Sequence, residues 1–106
     1  MPKYLFEVDY SVEGTKGLLK DGGSKRRAAV DKALTGLGGR LEAFYFTYGI
    51  RDAIVLADLP DDATAIAVSL SVSATGSVTF KTTKLIAPEE VDQAAKKSVG
   101  YQPPGH

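Results

Sequence analysis

Leu59-Pro60-Asp61-Asp62-Ala63-Thr64-Ala65-Ile66-Ala67-Val68-Ser69-Leu70-Ser71-Val72-Ser73-Ala74-Thr75-Gly76 is the stretch whose reading decides the fold. Val68, Leu70 and Val72 alternate with Ser69, Ser71 and Ser73, as on a half-buried strand. Ala63, Ile66, Ala67, Leu70 and Ala74 fall equally well on one face of a helix. The two ends separate these readings. Pro60 brings a fixed φ, the carboxylates of Asp61 and Asp62 stand where a helix begins, and Gly76 stands where one ends. A helix is therefore predicted over 63–75.

Working outward, two β-prone runs precede it. Residues 40–48 (RLEAFYFTY) and 52–58 (DAIVLAD) are joined by Gly49-Ile50-Arg51, close enough to form a hairpin. Residues 77–87 follow as a last strand, with Val78, Phe80 and Thr82 on one face and Thr79, Lys81, Thr83 and Leu85 on the other. At the beginning, Tyr4, Phe6, Val8 and Tyr10 recur with period two and predict a strand over 3–10. Ser11 to Gly23 holds four glycines and reads as a loop with one helical turn at Lys16–Lys20. Ser24 is a good N-cap, and Val30, Ala33, Leu34 and Leu37 follow at helical spacing, which predicts a helix over 25–37 closed by Gly38-Gly39. Pro88-Glu89-Glu90 opens a further short helix to about Lys97.

The predicted order is βαββαβ plus a terminal helix. This is an α+β chain of ferredoxin-like type: a four-stranded antiparallel sheet with helices on one face. Residues 1–100 are expected to form one domain and 101–106, rich in proline, an extended tail. A chain of 106 residues with 43% apolar composition buries roughly two thirds of its unfolded surface, enough for a core without staples.

Composition removes several kinds of chemistry. There is no cysteine and no tryptophan, and the one histidine is the last residue. Disulfides, thiolate nucleophiles, zinc–thiolate sites and a triad based on an internal histidine are thereby excluded. No metal and no cofactor is expected: His106 ends a proline-rich tail, and Asp61-Asp62 is accounted for as helix-start charge. Thirteen Lys and Arg balance thirteen Asp and Glu, so no global field draws nucleic acid or an anionic membrane. The strand 52–58 has no aromatic on which an RNA base could stack, so nucleic acid is not expected. No apolar run approaches the ~18 residues of a membrane helix, and the acids of the first strand do not suit a signal peptide. The expectation is a cytoplasmic protein.

The chain resembles the GYD domain family, a small bacterial family of the dimeric α+β barrel type. The resemblance is carried by Gly38-Gly39, Tyr45, Tyr48-Gly49 with Asp52, Leu59-Pro60-Asp61-Asp62, and Thr75-Gly76-Ser77-Val78 leading into Lys81-Thr82-Thr83. Arg51 stands where the family's tyrosine is usual. The resemblance implies a homodimer packed sheet against sheet. Two features agree with assembly. Both faces of the hairpin strands are apolar: Leu41, Ala43 and Tyr45 oppose Phe44, Phe46 and Tyr48, and Ala53, Val55 and Ala57 oppose Ile54 and Leu56. No charge occurs from Ala63 to Phe80; Thr64, Ala65, Ser69, Ser71 and Ser73 leave the helix face either solvated or free to form a second interface giving a higher oligomer.

Two functions stay open: a module that binds a small apolar or aromatic ligand or assembles, and a cofactor-independent enzyme of isomerase or monooxygenase type acting on an apolar metabolite. Ligand-binding candidates are Tyr10, Tyr45, Tyr48, Arg51 and Lys81, with Phe44 and Phe46 as apolar lining. For catalysis, Glu7 or Asp52 would accept the proton, and Tyr48, Arg51 or Lys81 would hold an oxyanion. Lys20, Lys25, Arg26 and Arg27 form a basic cluster near a helix start, able to hold an anion but read as a solvated surface.

Overall fold

Alternation along the first strand sets the sheet. In the computed structural model, which describes residues 1–106, β1 (Lys3–Tyr10) lies at its centre. Tyr4, Phe6 and Val8 are buried while Lys3, Leu5, Glu7 and Asp9 point to the opposite face. β2 (Arg40–Phe46), β3 (Ala53–Asp58) and β4 (Val78–Leu85) complete the sheet in the order β2-β3-β1-β4, every neighbouring pair antiparallel. This is the ferredoxin-like arrangement expected from the sequence.

The deciding stretch is a helix, α3 (Asp62–Ser73), and the anticipated signals start it. Asp61 adopts an extended conformation, and its Oδ1 accepts from the Thr64 backbone N–H at 2.8 Å and from the Thr64 hydroxyl at 2.6 Å. Helix-start hydrogen bonds of this kind hold the Asp61 carboxyl below the usual carboxylate range, Thr64 being the main cause. At the other end Gly76 has φ +74°.

The first correction follows β1. Residues 11–23 are not a loop: Val12–Asp21 form a helix, α1, followed after Gly22 (φ +83°) by α2 (Gly23–Gly36). Ser11 caps α1, its Oγ accepting from the Gly14 N–H at 3.1 Å. Gly14 is present because α1 lies against the start of β4: a Cβ there would sit 2.1 Å from the Ser77 carbonyl oxygen. A second correction concerns Ser24, which lies inside α2; Gly22 is the cap residue. The last helix, α4 (Pro88–Ala95), stops two residues short of Lys97. From Ile86 to His106 every residue is exposed, and the molecule extends to 58 × 33 × 24 Å.

Packing is one-sided. α2 lies over β2, α3 over β4, and α1 against both β1 and α2. The core they enclose is Tyr4, Phe6, Val8, Leu34, Ala53, Val55, Ala57, Leu59, Ala65 and Val78. A bulge between Leu41 and Ala43 breaks the simple alternation of β2. Leu41 therefore turns toward the helices while Ala43 and Tyr45 share the open face, contrary to their grouping by sequence. The small residues of α3 also divide. Ala65 is buried and Ser69 bonds Thr82 across to β4, whereas Ile66, Leu70 and Ser73 make the exposed face.

Candidate functional site

The two faces of the sheet offer different chemistry. On the helical face, α2 and α3 cover the outer strands and leave a slot between them above β1 and β3. Phe6, Val8, Val55 and Phe80 form its floor; Val30 and Ala33 of α2 face Val68 and Val72 of α3 across it. The slot holds about 120 Å³, and thirteen of its fourteen lining residues are hydrophobic. Phe6 and Phe80 stand with ring centroids 5.5 Å apart. The exception among the lining residues is Arg26, at the end of the slot nearest α1. Arg26, Tyr10 and Val72 also line a second, wider cavity of about 430 Å³, formed with Glu13, Gly14 and Leu18 of α1 and with Thr75 and Ser77. Tyr10, Arg26 and Val72 therefore stand at the boundary between the two spaces.

The open face is a band of apolar side chains between two ion clusters. Leu5, Ile54, Leu56 and Ala43 are half-buried, and Tyr45 is exposed beside them. At one end Asp58 accepts from Lys3 at 2.9 Å and from Arg40 at 3.1 Å, and Lys3 also pairs with Glu42. Asp58 is the one buried charged residue, 8% exposed. Lys3 first and Arg40 next hold its carboxyl below 3.8 despite the opposing effect of burial. At the other end Arg51 spans β1, its Nε 3.2 Å from Glu7 and its Nη1 2.9 Å from Asp9. Its pKa rises above the ordinary value, with Glu7 as the main cause.

The candidates chosen from sequence are divided between these places. Tyr10 lines both cavities on the helical side. Phe44 lines the slot, and Phe46 lies against Phe44 with centroids 5.1 Å apart. Glu7, Tyr45, Arg51 and Lys81 belong to the open face, and Glu7 is opposite Lys81 in the β1–β4 register but salt-bridged to Arg51. Tyr48 is fully exposed in the turn. Asp52 sits at the hairpin's end, its Oδ2 accepting from the Tyr10 backbone N–H at 2.8 Å. Glu7 and Asp52 are not joined by any hydrogen bond, and neither lines the slot or the wider cavity.

Arg26 reads from the sequence as part of a basic, solvated surface. Treated as one of four basic neighbours, it belongs instead with Val30, Ala33 and Leu37, four, seven and eleven residues further on along the same face of α2. That periodicity was the available signal.

Such a molecule is a small ferredoxin-like α+β domain with an apolar slot under its helices and a bare sheet face. A GYD domain model matches residues 4–95, and the chain belongs to the GYD domain family. No curated protein and no solved structure gives a match.

Proposed function

We propose that this chain is a binding protein for a small apolar or aromatic molecule, held in the slot between α2 and α3. The slot itself carries the reading: apolar walls with one polar group at the end are the usual make-up of a small-molecule site. Its volume sets the ligand. An apolar cavity of about 150 Å³ accepts benzene, so 120 Å³ suits a single ring or a short alkyl chain. Titration with toluene, followed by methyl NMR, is the test. Shifts at Val30, Val68 and Val72, abolished by the slot-filling Ala33→Phe, are expected. Shifts spread over the surface, or none up to the solubility of toluene, would refute it.

A second reading, assembly through the open face as a homodimer of α+β barrel type, has its own support. The apolar band of β1, β2 and β3 is flanked at each end by two cations and two carboxylates: Lys3 and Arg40 with Glu42 and Asp58, Arg51 and Lys81 with Glu7 and Asp9. Neutral ends do not repel a second copy of the same surface, and monomers seldom leave a large apolar patch bare. Sedimentation at micromolar concentration should give twice the chain mass, and Leu5→Arg with Leu56→Arg should reduce it to one chain. A wild-type mass of one chain would sink this reading. Catalysis has less behind it, because the acids that would take a proton stand away from the slot and Arg51 is occupied by Glu7 and Asp9.

A further inference from the structure

We propose that the ligand of the slot carries a carboxylate and that Arg26 is the residue that binds it; this rests on the reading of the slot as a binding site. A guanidinium is charged at any physiological pH and has five N–H donors to place. The Nε of Arg26 is shut off from solvent and has no hydrogen-bond partner within the chain. That atom is closed to a ligand as well, but none of the chain's ion pairs involves Arg26, so its charge is left for a counter-ion to meet at the terminal Nη groups. Arg26 is also the one polar residue of an otherwise hydrophobic slot, at the point where the slot meets the wider cavity.

Nearby acids do not supply the missing partner. Glu13 and Asp21 line the wider cavity, but their salt bridges go to Lys16 and Lys25, each at 3.6 Å. Their presence favours a monoanion over a phosphate dianion, whose second charge and heavier hydration would meet both acids. A planar carboxylate suits the paired Nη edge of a guanidinium, where two parallel N–H donors match two oxygens. The slot limits the remainder to about one ring. The class is thus an aryl or short-chain aliphatic carboxylate, with its apolar end over Phe6 and Phe80 and its carboxylate at the junction.

Calorimetric titration of the full chain at pH 7 with phenylacetate, phenylacetamide and toluene tests this. A charge-assisted hydrogen bond in a sheltered site should make phenylacetate bind roughly tenfold to a hundredfold tighter than phenylacetamide. Arg26→Met should erase that preference while toluene still binds, which shows that the variant's slot is intact. Arg27→Met removes the same charge from outside the slot and should leave the preference in place. If toluene binds but phenylacetate has no advantage, the carboxylate class is wrong and the slot reading survives. If Arg26→Met keeps the preference, Arg26 is the wrong residue. If none of the three binds wild-type protein, the slot reading fails and this inference with it.

Discussion

Alanine in place of Gly14 and of Gly17 should change stability in opposite directions, although both positions lie in the same helix. Intrinsic propensity treats them alike: alanine is better than glycine inside a helix by about 1 kcal/mol. Packing separates them. A Cβ on Gly17 meets nothing within 4 Å, whereas one on Gly14 would lie 2.1 Å from the Ser77 carbonyl oxygen and 3.2 Å from the Tyr10 ring. Relief requires α1 to lift from the start of β4. That movement strains the Ser11 N–H and Ser11 hydroxyl bonds to the same carbonyl, 2.9 and 3.1 Å long. Two hydrogen bonds at about 1 kcal/mol each, with about 1–3 kcal/mol of overpacking, outweigh the propensity gain. Gly14→Ala should therefore lose about 2 kcal/mol or more, and Gly17→Ala should gain up to about 1 kcal/mol. Urea unfolding measures both, and a kcal/mol moves the melting temperature of a domain this size by about 4–8 °C. Two stabilised variants would show that α1 does not press on Ser77 and that the glycines are incidental.

Tyr4 is 2% exposed and its hydroxyl donates to Asp62; burial first and Asp62 second push its pKa from 10.0 up to about 12. The raised value means its contribution is full below pH 10 and disappears as pH climbs toward 12, so Tyr4→Phe should lower the unfolding free energy from urea titration at pH 7.5 by about 1 kcal/mol yet lose less than wild type between pH 10 and 12. Asp58 has the opposite sign: its carboxyl is held below 3.8 by Lys3 and Arg40, so its contribution is full above that pH and is lost as acid protonates it. Asp58→Asn should cost about 1–3 kcal/mol at pH 7 and leave a flatter stability profile below pH 4 by urea titration. Arg51→Met should lower the urea midpoint, because it leaves Glu7 and Asp9 on neighbouring positions of one face without their shared cation; phenylacetate binding should be unchanged by calorimetry.

What the sequence exposed and what it hid follow from how local each determinant is. The helix predicted over 63–75 was legible because its start is written in adjacent residues, Pro60, Asp61 and Asp62, and Asp61 caps it as those residues imply. The strand at 3–10 was legible because burial on one face imposes period two. α1 was hidden: its glycine at position 14 answers to Ser77, sixty-three residues away, and in sequence such a glycine looks like a helix breaker. The bulge after Leu41 was hidden for the same reason, since only pairing with β3 reveals it. At the site, tyrosines and acids drew attention by type, and of these candidates only Tyr10 lines the slot. The slot is built of ordinary core residues, Val30, Val68, Val72 and Phe80 among them, which carry no chemical label. They line a slot only because α2 and α3 stand over different outer strands and do not close on each other.

The contrast between two arginines shows why residue type alone could not locate the site. Arg51 lies in the family's hairpin motif and looked like the natural anion holder. In the folded chain its Nε and Nη1 face Glu7 and Asp9 from the neighbouring strand. A ligand carboxylate arriving there would have to displace carboxylates that are tethered to the same chain and so present at high effective concentration. Arg26 sits in a basic run that reads as a solvated surface, yet none of the chain's ion pairs involves it, and its acidic neighbours are turned to lysines. For equal intrinsic affinity, an incoming anion competes with nothing at Arg26 and with two tethered rivals at Arg51. The preference depends on which charge the fold leaves uncompensated, and that is set by the strand register and by the position of α1 over the end of the slot.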